Sequence, residues 1–216
     1  MAEESARDRL IRAGEQLYAE RGVGRVRLRE LNAAAGVKND SAVHYHFGSQ
    51  EGLLEEILRL HLAEVGTRVA ACTARLCVGR EGSPEALRDA IAALAIPFVE
   101  KLGDERGRRF IRIMAQVGTG DRWPQGYFVP SAALAMDLVR RSVPDLDERR
   151  REERVGLITP FVIAAIAAEA RRGDVADGRV EELVFDVVSM AAAAYFAPAP
   201  VGGFWPDRWP RVELDG

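Results

Sequence analysis

The stretch from Val23 to Leu54 constrains the fold of this chain more than any other part of the sequence. It predicts a short helix over residues 28–35, a turn at Gly36 and a second short helix over residues 40–46. Glycine can end a helix in a left-handed conformation at the least steric cost, so Gly36 is the expected stop. Apolar residues at helical spacing allow the two helices to pack together: Leu28, Leu31, Ala35, Ala42 and Val43. This pattern predicts a helix-turn-helix, which presents its second helix to the major groove of DNA.

An αα-corner in an ordinary helical protein would show the same spacing, but three features favour the nucleic-acid interpretation. The turn and the second helix are rich in hydrogen-bonding side chains: Lys38, Asn39, Asp40, Ser41, His44, Tyr45 and His46. Arg25, Arg27 and Arg29 crowd the start of the first helix. Ser49 is the expected N-cap of a further helix, whose apolar run begins three residues later.

The same stretch resembles the TetR family of transcriptional regulators. The matching segments are Gly22, Arg29-Glu30-Leu31, Ala35-Gly36-Val37, Tyr45-His46-Phe47 and Ser49-Gln50-Glu51-Gly52-Leu53-Leu54. The rest of the chain agrees with the family only in length and helical character. The resemblance implies an all-α protein with a three-helix DNA-binding domain over residues 1–48 (the head) and a ligand-binding and dimerisation domain over residues 49–216 (the body). Arg27 stands where the family usually has a Ser or Thr cap, so we expect this helix start to rely on a DNA phosphate.

Eight residues of the head and its junction with the body are candidates for contacts with double-stranded DNA. The candidates for base edges and sugars are Asn39, Ser41, His44 and Tyr45, and those for phosphates are Arg27, Lys38, Tyr45, His46 and Ser49. Asp40 is expected to cap the second helix rather than to bind cytosine. Residues 21–47 hold five basic and two acidic side chains, although the whole chain has a net charge of −3. A basic head on an acidic body suits a protein that touches DNA at one end, although solvated arginines at helix ends would give the same excess.

Composition places the chain among globular proteins. Its 216 residues, of which 48% are hydrophobic, can form one large core or two domains. No apolar run approaches the roughly 20 residues that span a bilayer, and the N-terminus is charged, so we expect a cytoplasmic protein without a membrane partner. Cys72 and Cys77 would face different sides of one helix, so no disulfide is expected. Two core residues are the favoured interpretation of these cysteines, and a thiol redox sensor is the alternative.

Helical periodicity continues through the body. Helices are predicted over residues 5–21, 49–76, 84–102, 104–117, 131–141, 147–172 and 177–196. The helices 147–172 and 177–196 are predicted to form half of a four-helix homodimer interface, because residues 161–168 are apolar all round and hard to bury in a monomer. The family resemblance implies the same arrangement. The last helix carries two adjacent apolar stripes, which are Leu183, Val187, Met190 and Ala194, and Val184, Val188, Ala191 and Tyr195.

The expected function is a ligand-responsive repressor that binds a palindromic operator as a dimer and is released by a small apolar or aromatic effector. The candidate ligand contacts are Phe98, Phe110, Met114, Trp123, Tyr127, Phe128 and Phe161. Aromatic and methionine side chains can line an apolar cavity, although core packing would explain them equally well. A regulator with a vestigial pocket is a further possibility.

The sequence gives no sign of an enzyme, a cofactor or a metal site. His44 and His46 are two positions apart, whereas a metal pair on a helix needs three or four. His61 is expected to be a partly buried polar residue rather than a ligand. There is no phosphate loop, no H-E-x-x-H and no GxSxG motif. An all-α carrier or enzyme with an incidental helix corner is therefore the second hypothesis.

Overall fold

The structure, a computed structural model, describes residues 4–39, 41–76, 83–117, 132–142, 146–173 and 178–197. Within these residues the chain forms nine α-helices and no β-strand, which confirms the all-α prediction. The helices are α1 (Ala6–Arg21), α2 (Leu28–Ala34), α3 (Ala42–Phe47), α4 (Gln50–Thr73), α5 (Pro84–Val99), α6 (Glu105–Val117), α7 (Ala133–Arg141), α8 (Glu148–Ala170) and α9 (Arg179–Phe196). Short 3-10 turns occur at Val23–Arg25 and Glu100–Gly103.

The helix pair α2–α3 has the packing that the sequence predicts. Leu31 and Val43 are completely buried, and Ala35 and Ala42 lie beside them. Gly36 adopts φ +62°, and the N–H of the following residue donates to the carbonyl of Asn32 at 2.9 Å. This left-handed residue turns the chain out of α2, so α3 crosses α2 on its apolar side. Helix α3 begins two residues later than predicted, at Ala42 rather than at position 40.

Helix α4 belongs to both parts of the molecule. It packs against α1 and α3 of the head and against α5 and α6 of the body. Its buried residues follow one face over its whole length, from Leu53 to Thr73. The buried residues of the head form one continuous core with many of those of the body, including residues of α8 and α9. The division at residues 48 and 49 therefore stays a prediction from the sequence.

The body is a bundle in which α5 packs against α4, α7 and α9, while α6 packs against α1 and α8. Helix α5 ends at Val99 instead of residue 102, and Pro97 lies in its last turn. Proline lacks the N–H that a continuing helix needs, and the chain passes into the 3-10 turn Glu100–Gly103. No helix among the described residues is long and apolar enough to cross a membrane.

The structure shows which side of α9 faces the core, a point that the two predicted stripes leave open. On α9, Met190 is 57% exposed and Ala194 is also exposed, while Val188, Ala191 and Tyr195 are buried. The buried face of α9 therefore contains Leu183 and Val187 of the first stripe together with residues of the second stripe. The last two residues of the first stripe face solvent. Because the two apolar stripes are adjacent, helical periodicity alone does not show which of them faces the core. The contacts of α9 with α5 and α8 determine it.

Candidate nucleic-acid interface and apolar cavity

Helix α3 has one buried face and one face open to solvent. Ala42 and Val43 anchor it, whereas Ser41 and His44 are exposed and Tyr45 is 83% exposed. A large aromatic side chain gains nothing for folding in such a position, because its apolar surface remains in water. The ring of His46 packs edge-on against that of Tyr45, with 4.9 Å between centroids. The exposed face of α3 therefore offers an aromatic ring and several hydrogen-bonding groups to a partner.

The turn before α3 is held by Asn39. Its side-chain oxygen accepts the backbone N–H of Ser41 at 2.9 Å, and its carbonyl accepts that of Ala42 at 3.1 Å. Such an Asx turn is a common way to start a helix. Asn39 thus provides part of the capping that the sequence predicts for Asp40. Asp40 itself lies outside the described residues. The amide NH₂ of Asn39 is the donor that remains for a DNA contact.

The ring of His44 has a defined orientation. Its Nδ1 lies 2.9 Å from the carbonyl oxygen of Gly48. A carbonyl only accepts, so Nδ1 carries the proton, and Nε2 of the neutral ring is an acceptor. The exposed ring of His44 can therefore accept a hydrogen bond from a base amino group.

The start of α2 is capped from within the chain. The carboxylate of Glu30 accepts the backbone N–H of Arg27 at 2.8 Å, and it also binds Arg21 at 2.8 Å. The hydrogen bond from Arg27 is the main reason why the pKa of Glu30 lies below its usual value. This bond satisfies the N–H of Arg27, whereas a Ser or Thr side chain at residue 27 would accept an N–H of the first turn, and the structure shows no such bond from residue 27. The contact of this helix start with a DNA phosphate stays a prediction. Arg27 and Lys38 are both exposed.

The junction between α3 and α4 requires glycine at position 52. A Cβ there would lie 2.1 Å from the carbonyl oxygen of Phe47, far inside any permitted contact. The hydroxyl of Ser49 accepts the N–H of Gly52 at 3.0 Å and caps α4, while its O–H remains a possible donor to phosphate. The motif Ser49-Gln50-Glu51-Gly52 thus fixes the end of α3 directly on the first turn of α4.

Arg7 of α1 contacts both helices at this junction. Its guanidinium pairs with Glu56 of α4 and lies 5.5 Å from the ring centroid of Phe47. Sequence reasoning missed these contacts, because the partners are 40 or more positions apart and nothing local marks them.

A buried ionic cluster connects the head with the body. Glu15 of α1 accepts hydrogen bonds from His61 Nε2 of α4 at 3.0 Å and from Arg106 Nε of α6 at 3.0 and 3.1 Å. Burial acts to raise the pKa of Glu15, but these hydrogen bonds and the charge of Arg106 outweigh it and lower the pKa. His61 is completely buried rather than partly so, and its ring stacks on Phe110 with 4.5 Å between centroids.

Gln116 near the end of α6 forms a second connection. Its amide nitrogen donates to the carbonyl of Tyr18, and its amide oxygen accepts the N–H of Val23 at 2.8 Å. One side chain of the body therefore holds the segment that joins α1 to α2.

An apolar cavity of about 160 Å³ lies in the body between α5, α7, α8 and α9. Among the predicted ligand contacts, Phe98 lines this cavity. Phe110 and Met114 are buried core residues that do not line it, and Phe161 lies 38% exposed on α8. Phe110 stacks behind Phe98 at 6.5 Å between centroids. Trp123, Tyr127 and Phe128 lie outside the described residues.

Tyr195 and Thr159 also line the cavity, and sequence reasoning did not select either. The hydroxyl of Tyr195 is buried, with no hydrogen-bond partner among the described residues. Tyr195 was recognisable only as one residue of an apolar stripe. The residues that the structure describes contain no group of three or more His, Cys, Asp or Glu side chains that could hold a metal ion. Cys72 is a free thiol, and Cys77 lies outside the described part.

Comparison with known proteins gives a consistent result. Residues 10–57 match the family model for bacterial regulatory proteins of the tetR family. No curated protein sequence matches the chain.

Several solved structures share the fold at low sequence identity. The fatty acid degradation regulator FadR from Bacillus halodurans is 12% identical, with 89% of this chain and 97% of that chain covered and a TM-score of 0.58. The ketosteroid transcriptional regulator KstR2 of Mycobacterium tuberculosis is 16% identical, with 89% and 95% covered and a TM-score of 0.56. SmeT, the repressor of a multidrug efflux pump of Stenotrophomonas maltophilia, is 20% identical, with 94% and 98% covered and a TM-score of 0.53. The matched residues 10–57 contain the whole α2–α3 pair, which assigns this part of the chain to the tetR family of bacterial regulatory proteins, and the fold shared with the solved structures extends over the body.

Proposed function

We propose that the protein is a ligand-responsive repressor that binds a palindromic operator as a homodimer and is released by a small, largely apolar molecule. The observation that carries the DNA-binding part is helix α3. It is anchored by Ala42 and Val43, and it offers Tyr45 and His44 to solvent. A protein that binds operator DNA acts where the chromosome is, which for a bacterial regulator is the cytoplasm.

The exposed and half-buried candidate side chains divide into two groups by what they can bind. Asn39, Ser41, His44 and Tyr45 lie on or next to α3 and are proposed to contact base edges and sugars. Arg27, Lys38, His46 and Ser49 are proposed to bind phosphates on either side, together with the hydroxyl of Tyr45. The phosphate contacts would position α3 in the groove, and the base contacts would select the sequence.

The outer surfaces of α8 and α9 support a homodimer. Leu157 is 74% exposed, Phe185 is 71% exposed and Phe161 is partly exposed, although each is a large apolar side chain. Burying such a side chain stabilises an assembly by about 1.5–3 kcal/mol. Two copies of this face can pack isologously, and the dimer would place two α3 helices in successive major grooves about 34–36 Å apart.

The cavity supports an apolar effector. Its lining includes aliphatic and aromatic side chains such as Leu94, Phe98 and Ile158, and no charged residue lines it among the residues described. The names of two regulators with a similar fold refer to fatty acid degradation and to ketosteroids. A ligand can shift the protein away from its operator-binding conformation only if it binds the other conformation more tightly.

Operator binding is tested with DNA fragments selected from genomic DNA by the purified protein. Tyr45→Ala should weaken binding to the selected site about fivefold or more, since a specific base contact contributes about 1–3 kcal/mol. Lys38→Ala should weaken binding to all DNA sequences alike. It should also reduce the slope of the logarithm of the binding constant against the logarithm of the salt concentration by about one. Leu134→Ala, an exposed apolar change on α7, is the matched control and should bind like the wild type. Unchanged affinity of Tyr45→Ala in a mobility-shift titration would contradict the role of α3, and a wild type without salt-dependent DNA binding would favour a carrier.

Dimerisation is tested by combining Leu157→Glu with Phe185→Glu. The two carboxylates would be buried without partners in the proposed interface, so the double variant should sediment as a monomer in analytical ultracentrifugation. Leu134→Glu places the same charge on another exposed leucine and should remain dimeric. A wild-type monomer at micromolar concentration, or a double variant that stays dimeric, would refute the proposed interface.

A further inference from the structure

The ring of His44 on α3 is held in one orientation by its own helix. Its Nδ1 lies 2.9 Å from the carbonyl oxygen of Gly48, and the side chain is exposed to solvent. A carbonyl oxygen only accepts hydrogen bonds, so Nδ1 carries a proton. In the neutral ring the other nitrogen, Nε2, has no proton and can only accept. Nε2 points away from Gly48, because the two nitrogens lie on different edges of the imidazole ring.

This fixed polarity distinguishes His44 from its exposed neighbours. The hydroxyls of Ser41 and Tyr45 can rotate, so each of them can donate to a partner or accept from it. The cationic side chains of Arg27 and Lys38 only donate. Nε2 of neutral His44 cannot bind a phosphate, because phosphate oxygens are acceptors, and it cannot pair with the carbonyl oxygen of a base. To form a hydrogen bond with DNA, it needs an amino group.

In the major groove, two of the four bases present an amino group. Adenine has its N6 amino group and cytosine its N4 amino group, whereas guanine has O6 and thymine has O4 in the corresponding place. Either of these oxygens would face the lone pair of Nε2 without forming a hydrogen bond. We infer that His44 makes the protein select adenine or cytosine, and reject guanine and thymine, at one position of each operator half-site. This inference rests on the proposed function, since it specifies what the exposed face of α3 recognises.

Removing single amino groups from the selected operator tests this inference. Each adenine is replaced in turn by purine and each cytosine by 2-pyrimidinone, which lack only the amino group. Mobility-shift titrations are made at about pH 8, where a free imidazole is neutral. At one position of each half-site, the substitution should weaken binding of the wild type about fivefold or more, because one hydrogen bond is lost. His44→Phe keeps an aromatic ring without nitrogens, so the same substitution should weaken its binding less than about twofold. The weakened base pairing is common to all variants and cancels in the comparison.

His46→Phe is the matched control, because it makes the same chemical change on the same helix. It should leave the effect of each amino group within about twofold of that in the wild type. The salt dependence gives a second readout. A neutral acceptor releases no counterion, so His44→Phe should keep the salt slope of the wild type, which Lys38→Ala reduces by about one. Nitrogen-15 NMR of the imidazole rings in the free protein should show the proton of His44 on Nδ1.

Three results would overturn the inference and leave the proposed function standing. The first is that no amino group has an effect on the wild type that disappears in His44→Phe. The second is a salt slope reduced by about one in His44→Phe, which would show that the ring is charged and binds a phosphate. The third is a proton on Nε2 in the NMR spectrum, which would make this nitrogen a donor. A wild type without sequence-specific DNA binding would refute the proposed function and this inference together.

Discussion

Replacing Glu15 by Gln tests whether the buried cluster stabilises the contact between head and body. The carboxylate of Glu15 is 1% exposed and accepts hydrogen bonds from one buried group and one half-exposed group. His61 has no other partner for its ring nitrogens among the described residues, because its Nδ1 is buried without a hydrogen bond. The substitution keeps the shape of the side chain and removes its charge. A loss of stability would therefore come from the lost charge and hydrogen bonds, and not from empty space left in the core.

The expected loss follows from what each partner can do afterwards. A hydrogen bond to a charged group contributes about 1.5–3 kcal/mol, and breaking a buried ion pair costs about 3–5 kcal/mol when the other charge stays buried. Arg106 is 50% exposed and can return to water, and the amide of Gln retains one acceptor for His61. We therefore expect a loss of about 2 kcal/mol in the free energy of unfolding near neutral pH.

The effect should also depend on pH with a defined sign. The pKa of Glu15 in the folded protein lies below 4.5, its ordinary value and the one expected in the unfolded chain. The unfolded state therefore binds a proton more readily, and the stabilisation is complete above pH 4.5. It is lost as the pH falls through the lower folded value. Gln does not titrate, so the difference between wild type and variant should shrink below pH 4.5.

Urea denaturation followed by circular dichroism measures this difference near neutral pH and at about pH 4. Glu20→Gln, an exposed change on the same helix, is the control and should alter stability by less than about 0.5 kcal/mol. The reasoning would be refuted if Glu15→Gln were no more destabilising than this control. A loss that stayed constant over the acid range would refute the assignment to an ionised carboxylate.

Three further changes follow from single contacts. Tyr195→Phe should raise the free energy of unfolding by about 1 kcal/mol in urea denaturation, since it removes a buried hydroxyl without a partner. Gly52→Ala should lower the free energy of unfolding by about 2 kcal/mol or more and weaken operator binding, because the new Cβ would clash with the carbonyl oxygen of Phe47. Gly156→Ala is the control, since there is open space at its Cβ, and it should lower neither stability nor operator binding. The pKa of Glu56 is lowered to about 2, chiefly by a hydrogen bond from the arginine three residues along α4. Acid titration of Glu56→Gln should therefore show its stability deficit at pH 4.5 and above and its disappearance towards pH 2.

The head was predictable because its signals are local. Gly36 ends α2 in the left-handed conformation, and Leu31 and Val43 are buried as the apolar spacing requires. Ser49 caps α4 through the N–H of Gly52. Each of these features depends on residues within a few positions along the chain, so the sequence alone contains the necessary information.

The contacts that hold the head on the body were not predictable in this way. Glu15 and Arg106 are 91 positions apart, and nothing near either of them marks the pair. Gln116 meets Tyr18 across 98 positions. Polar residues on a helix normally face water, and only the packing of α1 against α6 brings Arg106 and Gln116 to their partners on or next to α1. The hydroxyl of Tyr195 is a comparable case, because its lack of a partner is a property of the assembled bundle.

The ionic cluster also limits how a ligand can act on the head. Phe98 at the cavity stacks on Phe110 of α6, Phe110 stacks on His61, and His61 donates to Glu15 of α1. If α6 slid past α1, the buried carboxylate of Glu15 would lose its hydrogen bonds from Arg106 and stay in the core without that counter-charge, which is more costly than a change at a pair with both members exposed. We therefore expect α1 to follow α6, so that the head turns as a unit with this part of the body. A ligand that displaces Phe98 would then change the spacing of the two α3 helices in the proposed dimer without disturbing the residues that are proposed to contact DNA.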